Sequence, residues 1–157
     1  MKDLDYYSLD IVKQKVKDAL KTLYQRDYDL IKNDINEQSI SYRLAIYLEM
    51  QFSEWKYNID CEYNRNKEDI KENNDAKPFK PDIVIHERKE NDNNLLCIEI
   101  KKNNDSDDDK IKVINAIENK DYGYKFGMFI NIQDNGYDVF LTYKFMCARI
   151  EEEFSDA

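Results

Sequence analysis

Glycine and proline are scarce: the 157-residue chain has only 3 Gly and 2 Pro. That excludes collagen-like and linker-rich chains, and it leaves no Gly-rich loop to cradle phosphates; no P-loop, G-x-G-x-x-G or G-x-S-x-G pattern is present. His86 is the only histidine, which excludes any mechanism that needs two. The three cysteines, Cys61, Cys97 and Cys147, are far apart and form no CxxC, so a zinc knuckle and a thioredoxin motif are excluded. Reduced thiols in a cytoplasmic protein are the expectation. No run of 18 apolar residues occurs, so no transmembrane helix and no membrane partner are expected. The polar stretch Met1 to Asp10 has no apolar centre of the kind a signal peptide needs. Basic residues are in deficit, 24 against 33 acidic ones, for a net charge of −9. An unselective nucleic-acid binder carries a basic surface, so this balance counts against one. It leaves room for a local basic cleft, because steering depends on how charge is distributed, and for a carboxylate metal site.

An apolar share of 41 % with 12 Tyr and 7 Phe is too high for a disordered chain, and the length suits a single domain over residues 1–157. Ile11, Val12, Val16, Ala19, Leu20 and Leu23 recur at three- and four-residue steps, predicting a helix from about Tyr7 to Arg26. Ile40, Leu44, Tyr47 and Leu48 predict a second helix from Glu37 to Gln51, with Asn36 as its N-cap. The period then changes to two: Trp55, Tyr57, Ile59, Cys61 and Tyr63 alternate with polar residues, as in a half-buried strand. The polar stretch from Arg65 to Lys77 reads as an exposed loop. Strands are expected at Ile83–Ile85 and Leu95–Ile100, and a helix carrying Ile111, Ile114 and Ile117 follows the acidic run Asp105–Asp109. That run reads as a solvated helix start; as a Ca²⁺ loop it fails, with Lys110 at the sixth position and Ala116 at the twelfth. Tyr124 to Ile132 and Tyr137 to Tyr143 alternate as two strands around an Asn135-Gly136 turn. The segment from Lys144 reads as a short helix. The whole is a mixed α/β domain, with residues 1–34 as a helical extension and residues 35–132 as its core.

The chemistry concentrates between Pro81 and Lys101. Asp82 opens one strand and Glu99-Ile100-Lys101 closes the next, with sixteen residues between Asp82 and Glu99, enough for a strand, a turn and a return. If the two strands are neighbours, both carboxylates arrive at one end of the sheet. Strand parity puts Glu99 and Lys101 on one face, with Leu96, Ile98 and Ile100 on the other. Burying an unpaired charge is costly, and a divalent cation held by Asp82, Glu99 and the Ile100 carbonyl would offset that cost. Oxygen donors with several waters suit Mg²⁺. Such an ion polarises a phosphodiester and acidifies water. Lys101 would position that water or stabilise developing negative charge. Arg43 and Arg65, with Lys101 and Lys102, would contact phosphates of a nucleic acid.

The residues Pro81-Asp82 followed by Glu99-Ile100-Lys101 resemble the motif of the PD-(D/E)XK nuclease superfamily. The element order from Glu37 to Ile132 is similar to the αβββαβ core of the restriction-endonuclease-like fold. Asn36 to Ala45, Glu62 to Arg65, Pro81 to His86 and Leu95 to Lys101 resemble small bacterial and phage proteins of that type, over about residues 35 to 132. The resemblance implies a mixed central sheet flanked by helices and a Mg²⁺-dependent nuclease, with Mn²⁺ able to substitute. It implies Asp82, Glu99 and Lys101 as the catalytic set. Glu37 would match the carboxylate that many members place on the helix before the sheet, where it can serve a second metal. The acidic composition and the lack of a recognisable target-recognition domain point away from a site-specific restriction enzyme and toward a structure-selective or accessory nuclease acting on DNA, as a monomer or a homodimer.

Plainer readings stand beside these. Glu99 and Lys101 could form an exposed ion pair, Asp82 a turn, Glu37 a first-turn helix carboxylate, the two arginines surface ion pairs, and His86 a satisfied structural residue. A nuclease fold without activity, serving as a protein-binding or regulatory module in a phage or defence system, is the alternative function.

Overall fold

The computed structural model describes residues 8–33, 36–53, 56–63, 65–66, 69–70 and 79–156, with backbone only at 65–66 and 69–70. Valine, leucine and alanine at helical spacing build α1 (Leu9–Arg26), which buries Val12, Val16, Ala19, Leu20 and Leu23 along one stripe. A five-residue helix, α2 (Tyr28–Lys32), follows without a sequence signal of its own. Helix α3 spans Glu37–Gln51, the expected bounds, and Asn36 caps it by accepting the Gln38 N–H at 2.6 Å. Eight strands and one further helix complete the described chain: β1 (Asn58–Cys61), β2 (Arg65–Asn66), β3 (Asp69–Ile70), β4 (Ile83–His86), β5 (Leu96–Lys102), α4 (Asp107–Glu118), β6 (Phe126–Gln133), β7 (Gly136–Phe145) and β8 (Ala148–Ser155).

Six strands form one mixed sheet in the order β1-β4-β5-β6-β7-β8, and β2 pairs with β3 in a separate ribbon. Only β5 and β6 run parallel, and the crossover between them is α4. The centre of the sheet is covered on both faces, which is why β4, β5 and β6 read as nearly continuous apolar runs. Ile83, Ile85, Leu96, Ile98, Ile100, Met128 and Ile130 pack against α1 and α3. Val84, Cys97 and Phe129 pack on the other side against Val113, Ala116 and Ile117 of α4. Helix α4 lies close because β6 carries Gly127: a Cβ there would stand 2.8 Å from the Val113 carbonyl oxygen.

Several expectations change. The C-terminal segment is a strand, not a short helix. Its three consecutive glutamates suggest a helix, but Ile150, Glu152 and Phe154 fall on the more protected side at a period of two. Met146 and Cys147, both at positive φ, make the tight turn that folds β8 back on β7. Phe154 then joins the core, and Glu152 meets Lys13 of α1 at 3.4 Å and the Tyr143 hydroxyl at 3.0 Å. The β6–β7 turn is Asp134-Asn135, with Gly136 paired to Gln133 as the first residue of β7. On α4 the buried face is Asp109, Val113, Ala116 and Ile117, whereas Ile111 is exposed. The stretch expected as a loop contains the β2–β3 ribbon; its residues 71–78, and Trp55 of the expected first strand, lie outside the described residues.

Candidate catalytic cleft

Val84 and His86 of β4 face α4, and Asp82, two residues earlier, emerges on that same side as the strand begins. The register pairs Ile83 with Ile98, which brings Asp82 opposite Glu99. Ile100 has no β4 residue beside it, so its N–H donates instead to Asp82 Oδ2 at 2.8 Å. A strand residue projects its N–H and C=O the same way, so the Ile100 carbonyl opens toward the same cleft.

The Glu99 side chain is 5 % exposed and shares a hydrogen bond with the Asp82 carboxyl. Burial, then the charge and hydrogen bond of Asp82, push the Glu99 carboxyl well above the ordinary carboxylate range. Burial also raises Asp82, against the opposing pull of the Ile100 N–H and Glu99.

Lys101 projects on the face of Glu99, as strand parity requires. Its Nζ is 3.7 Å from Asp109 Oδ2, and Lys112 Nζ is 3.1 Å from Asp109 Oδ1. Asp109 is 1 % exposed, so the acidic run is not wholly a solvated helix start. Its first members do meet solvent, and Asp105 pairs with Lys110 at 2.8 Å. Asp109 and Lys112 were both missed from the sequence. The spacing of Asp109, Val113 and Ala116 along one helical face was the signal that could have found the buried carboxylate. Burial opposes the Lys112 ammonium, but the Asp109 hydrogen bond and the charges of Glu99 and Asp109 outweigh it and raise its pKa.

Asp82, Glu99, Lys101 and Lys112 line a cleft of about 640 Å³ between α3, the ends of β4 and β5, and α4, with Asp109 buried behind the two lysines. Glu37 is on its wall, but its Oε2 accepts the Lys102 N–H at 3.0 Å rather than joining the Asp82–Glu99 pair. Lys102 also lines the cleft, with its ammonium 3.6 Å from Asp134 in the β6–β7 turn. Arg43 does not line the cleft: its Nε is 3.1 Å from the Asp27 carboxylate and its Nη2 donates to the Tyr47 hydroxyl. The Arg65 side chain lies outside the described residues. Lys80, not singled out in the sequence, lines the cleft 3.9 Å from Glu62.

His86 is buried, with Nε2 2.8 Å from Asp60 Oδ2 and the Tyr63 ring set edgewise against it. Arg88 binds the same carboxylate. Burial would raise Asp60, but hydrogen bonds from Arg88 and His86 hold it well below the ordinary range. Burial and then the neighbouring Asp60, Glu62 and Asp82 charges push the Cys61 thiol up to about 11.

No group of three or more His, Cys, Asp or Glu side chains gathers in metal-holding geometry among the described residues. The half-buried Asp82 carboxyl and the buried Glu99 carboxyl lie together on the cleft wall, beside Ile100. Carboxylate oxygens are the hard donors that Mg²⁺ or Mn²⁺ takes, so Asp82 and Glu99 fit such a cation with water completing the shell. No helix among the described residues is long and apolar enough to cross a membrane. Searches of protein-family models, curated proteins and solved structures found no match to this chain.

Proposed function

We propose that the chain is a PD-(D/E)XK-type, Mg²⁺-dependent nuclease that hydrolyses phosphodiester bonds, with DNA as its substrate. The observation that carries this reading is the Asp82–Glu99 carboxyl pair at adjacent strand ends, Glu99 buried and Asp82 half-buried, with Lys101 on the same face of the strand as Glu99. The order α3, β1, β4, β5, α4, β6, with one antiparallel meander and one parallel crossover, supports an αβββαβ core of the restriction-endonuclease-like type.

Asp82, Glu99 and the Ile100 carbonyl would hold the cation, which supplies Lewis-acid polarisation of the phosphodiester and acidification of water. Burial of Glu99 keeps bulk water from competing for that position. The Ile100 N–H fixes the Asp82 carboxylate through one oxygen. Lys101 donates N–H to the oxygen on which negative charge develops as water adds to phosphorus and the strand leaves. Glu37, bound to the Lys102 N–H, ties α3 to the end of β5 and holds that wall of the cleft in place.

The test is a cleavage panel on purified protein with duplex, single-stranded, nicked and branched DNA and with RNA, in Mg²⁺, Mn²⁺ or EDTA. Metal-dependent cleavage that disappears in Glu99→Ala and Lys101→Ala proteins of unchanged circular dichroism is expected. Full activity in pure Lys101→Ala protein would sink the assignment. No cleavage of any substrate would leave the protein-binding module as the standing reading.

A further inference from the structure

The nuclease reading uses Lys101 but gives no task to Asp109 or Lys112, and both deserve one on physical grounds. Asp109 is a carboxylate inside a mostly apolar helix face, 2 % exposed at its side chain. Its Oδ1 meets Lys112 at 3.1 Å, but Oδ2 has no hydrogen-bond donor and only the Lys101 ammonium at 3.7 Å. A buried carboxylate oxygen left without a full hydrogen bond is a standing cost to the fold. Packing alone would favour an apolar residue there, since Val113 and Ala116 on the same face are apolar.

What Asp109 does achieve is spacing. It stands between two lysines that come from different elements, Lys101 from β5 and Lys112 from α4. Both line the cleft, and Lys112 is near enough to Glu99 for its charge to lower that carboxyl's pKa. Without a carboxylate between them, two ammonium groups would repel each other, and each would fold toward the Asp82–Glu99 pair. With it, both line the same cleft as that pair while their remaining N–H donors stay available to a ligand: the Lys112 side chain is 54 % exposed and that of Lys101 is 35 % exposed.

We propose that Lys112 and Lys101, spaced by the buried carboxylate of Asp109, form a two-lysine clamp for the phosphate of a nucleic-acid strand lying across the Asp82–Glu99 pair. The ligand class is the phosphodiester backbone. Lys112 makes a direct contact, and Asp109 is a positioning residue that acts through both lysines. The clamp also accounts for how an acidic protein engages a polyanion: the binding charge is local, and it is held in place from inside the fold. This inference rests on the nuclease reading and adds a contact to it.

The experiment measures binding of a fluorescein-labelled DNA oligonucleotide to the full chain in EDTA by anisotropy, across a salt series, beside steady-state cleavage in Mg²⁺. Lys112→Ala, on a half-exposed helical position, keeps the fold, and a thermal melt checks this. It is expected to weaken binding severalfold and to reduce the salt slope by about 0.7 for single strands or 0.9 for duplex, the amount one lost phosphate contact releases. KM rises while kcat changes less. Lys112→Arg restores most of the affinity. Asp109→Asn is expected to lower kcat as well as affinity, because Lys101 loses its anchor, and Asp109→Glu to recover part of both. If wild type binds and cleaves but Lys112→Ala matches it in affinity and salt slope, the clamp is wrong while the nuclease reading stands. If wild type neither binds nor cleaves any nucleic acid, the nuclease reading falls and the clamp falls with it.

Discussion

Replacing Glu99 by Gln should stabilise the metal-free protein. The side chain keeps its size and its hydrogen bond to Asp82 but loses the ability to ionise in a buried position. In the wild type, burial disfavours ionisation of both Asp82 and Glu99, and the two carboxyls lie together. Relieving a buried polar group of that kind recovers about 1–3 kcal/mol. For a chain of this length each kcal/mol moves the melting temperature by about 2–4 °C, so the variant should melt about 2–12 °C higher in EDTA at pH 8. The pH dependence has a definite sign. Both carboxyls have folded pKa values raised above their ordinary ones, 4.5 for Glu99 and 3.8 for Asp82. Their favourable contribution is complete below those values and is lost as pH rises through the folded ones. The gap between Glu99→Gln and wild type should therefore widen from pH 5 to pH 8. Adding Mg²⁺ or Mn²⁺ should reverse the order: at a hundredfold excess over its Kd, a cation adds about 2.7 kcal/mol to the wild type and little to the variant. The assay is differential scanning calorimetry over that pH range with EDTA or metal. A Glu99→Gln protein that melts below wild type in EDTA, or a gap that narrows with pH, would refute the reasoning and make Glu99 an ordinary partner of Lys112.

Two further outcomes test how the cleft is held and which charges serve it. Gly127→Ala should cost about 1–3 kcal/mol of overpacking, because the new methyl meets the Val113 carbonyl at 2.8 Å and its Cβ at 3.0 Å. Urea unfolding should show a lower midpoint with an unchanged slope, and the displaced α4 should weaken oligonucleotide binding through Lys112. Arg43→Ala should leave oligonucleotide affinity and its salt slope unchanged in the same anisotropy measurement, since its guanidinium is committed to Asp27 and Tyr47. A reduced slope would return Arg43 to the binding surface.

Much of this molecule is legible without its tertiary structure, because local patterns set it. Apolar spacing defines α1 and α3, Asn36 announces the start of α3, and parity alone places Glu99 and Lys101 on one face of β5. The sixteen residues between Asp82 and Glu99 allow a hairpin, and the antiparallel pairing of β4 with β5 uses it. Local pattern fails where a residue's partner is distant in the chain. The segment from Lys144 reads as a short helix until β7 supplies a cross-strand ladder and α1 supplies Lys13 to Glu152. Arg43 reads as a phosphate ligand until the fold sets Asp27 beside it, and Lys102 until the β6–β7 turn brings up Asp134. Asp109 reads as one of a run of solvated acids until the parallel crossover presses α4 onto β5 and β6 and buries it between two lysines. The sequence by itself determined which residues are apolar, which repeat with a helical or strand period, and which carboxylates and lysines lie near strand ends. Only the tertiary structure decided which charges are desolvated and what stands opposite them, because burial and pairing are properties of the space between elements rather than of any one of them.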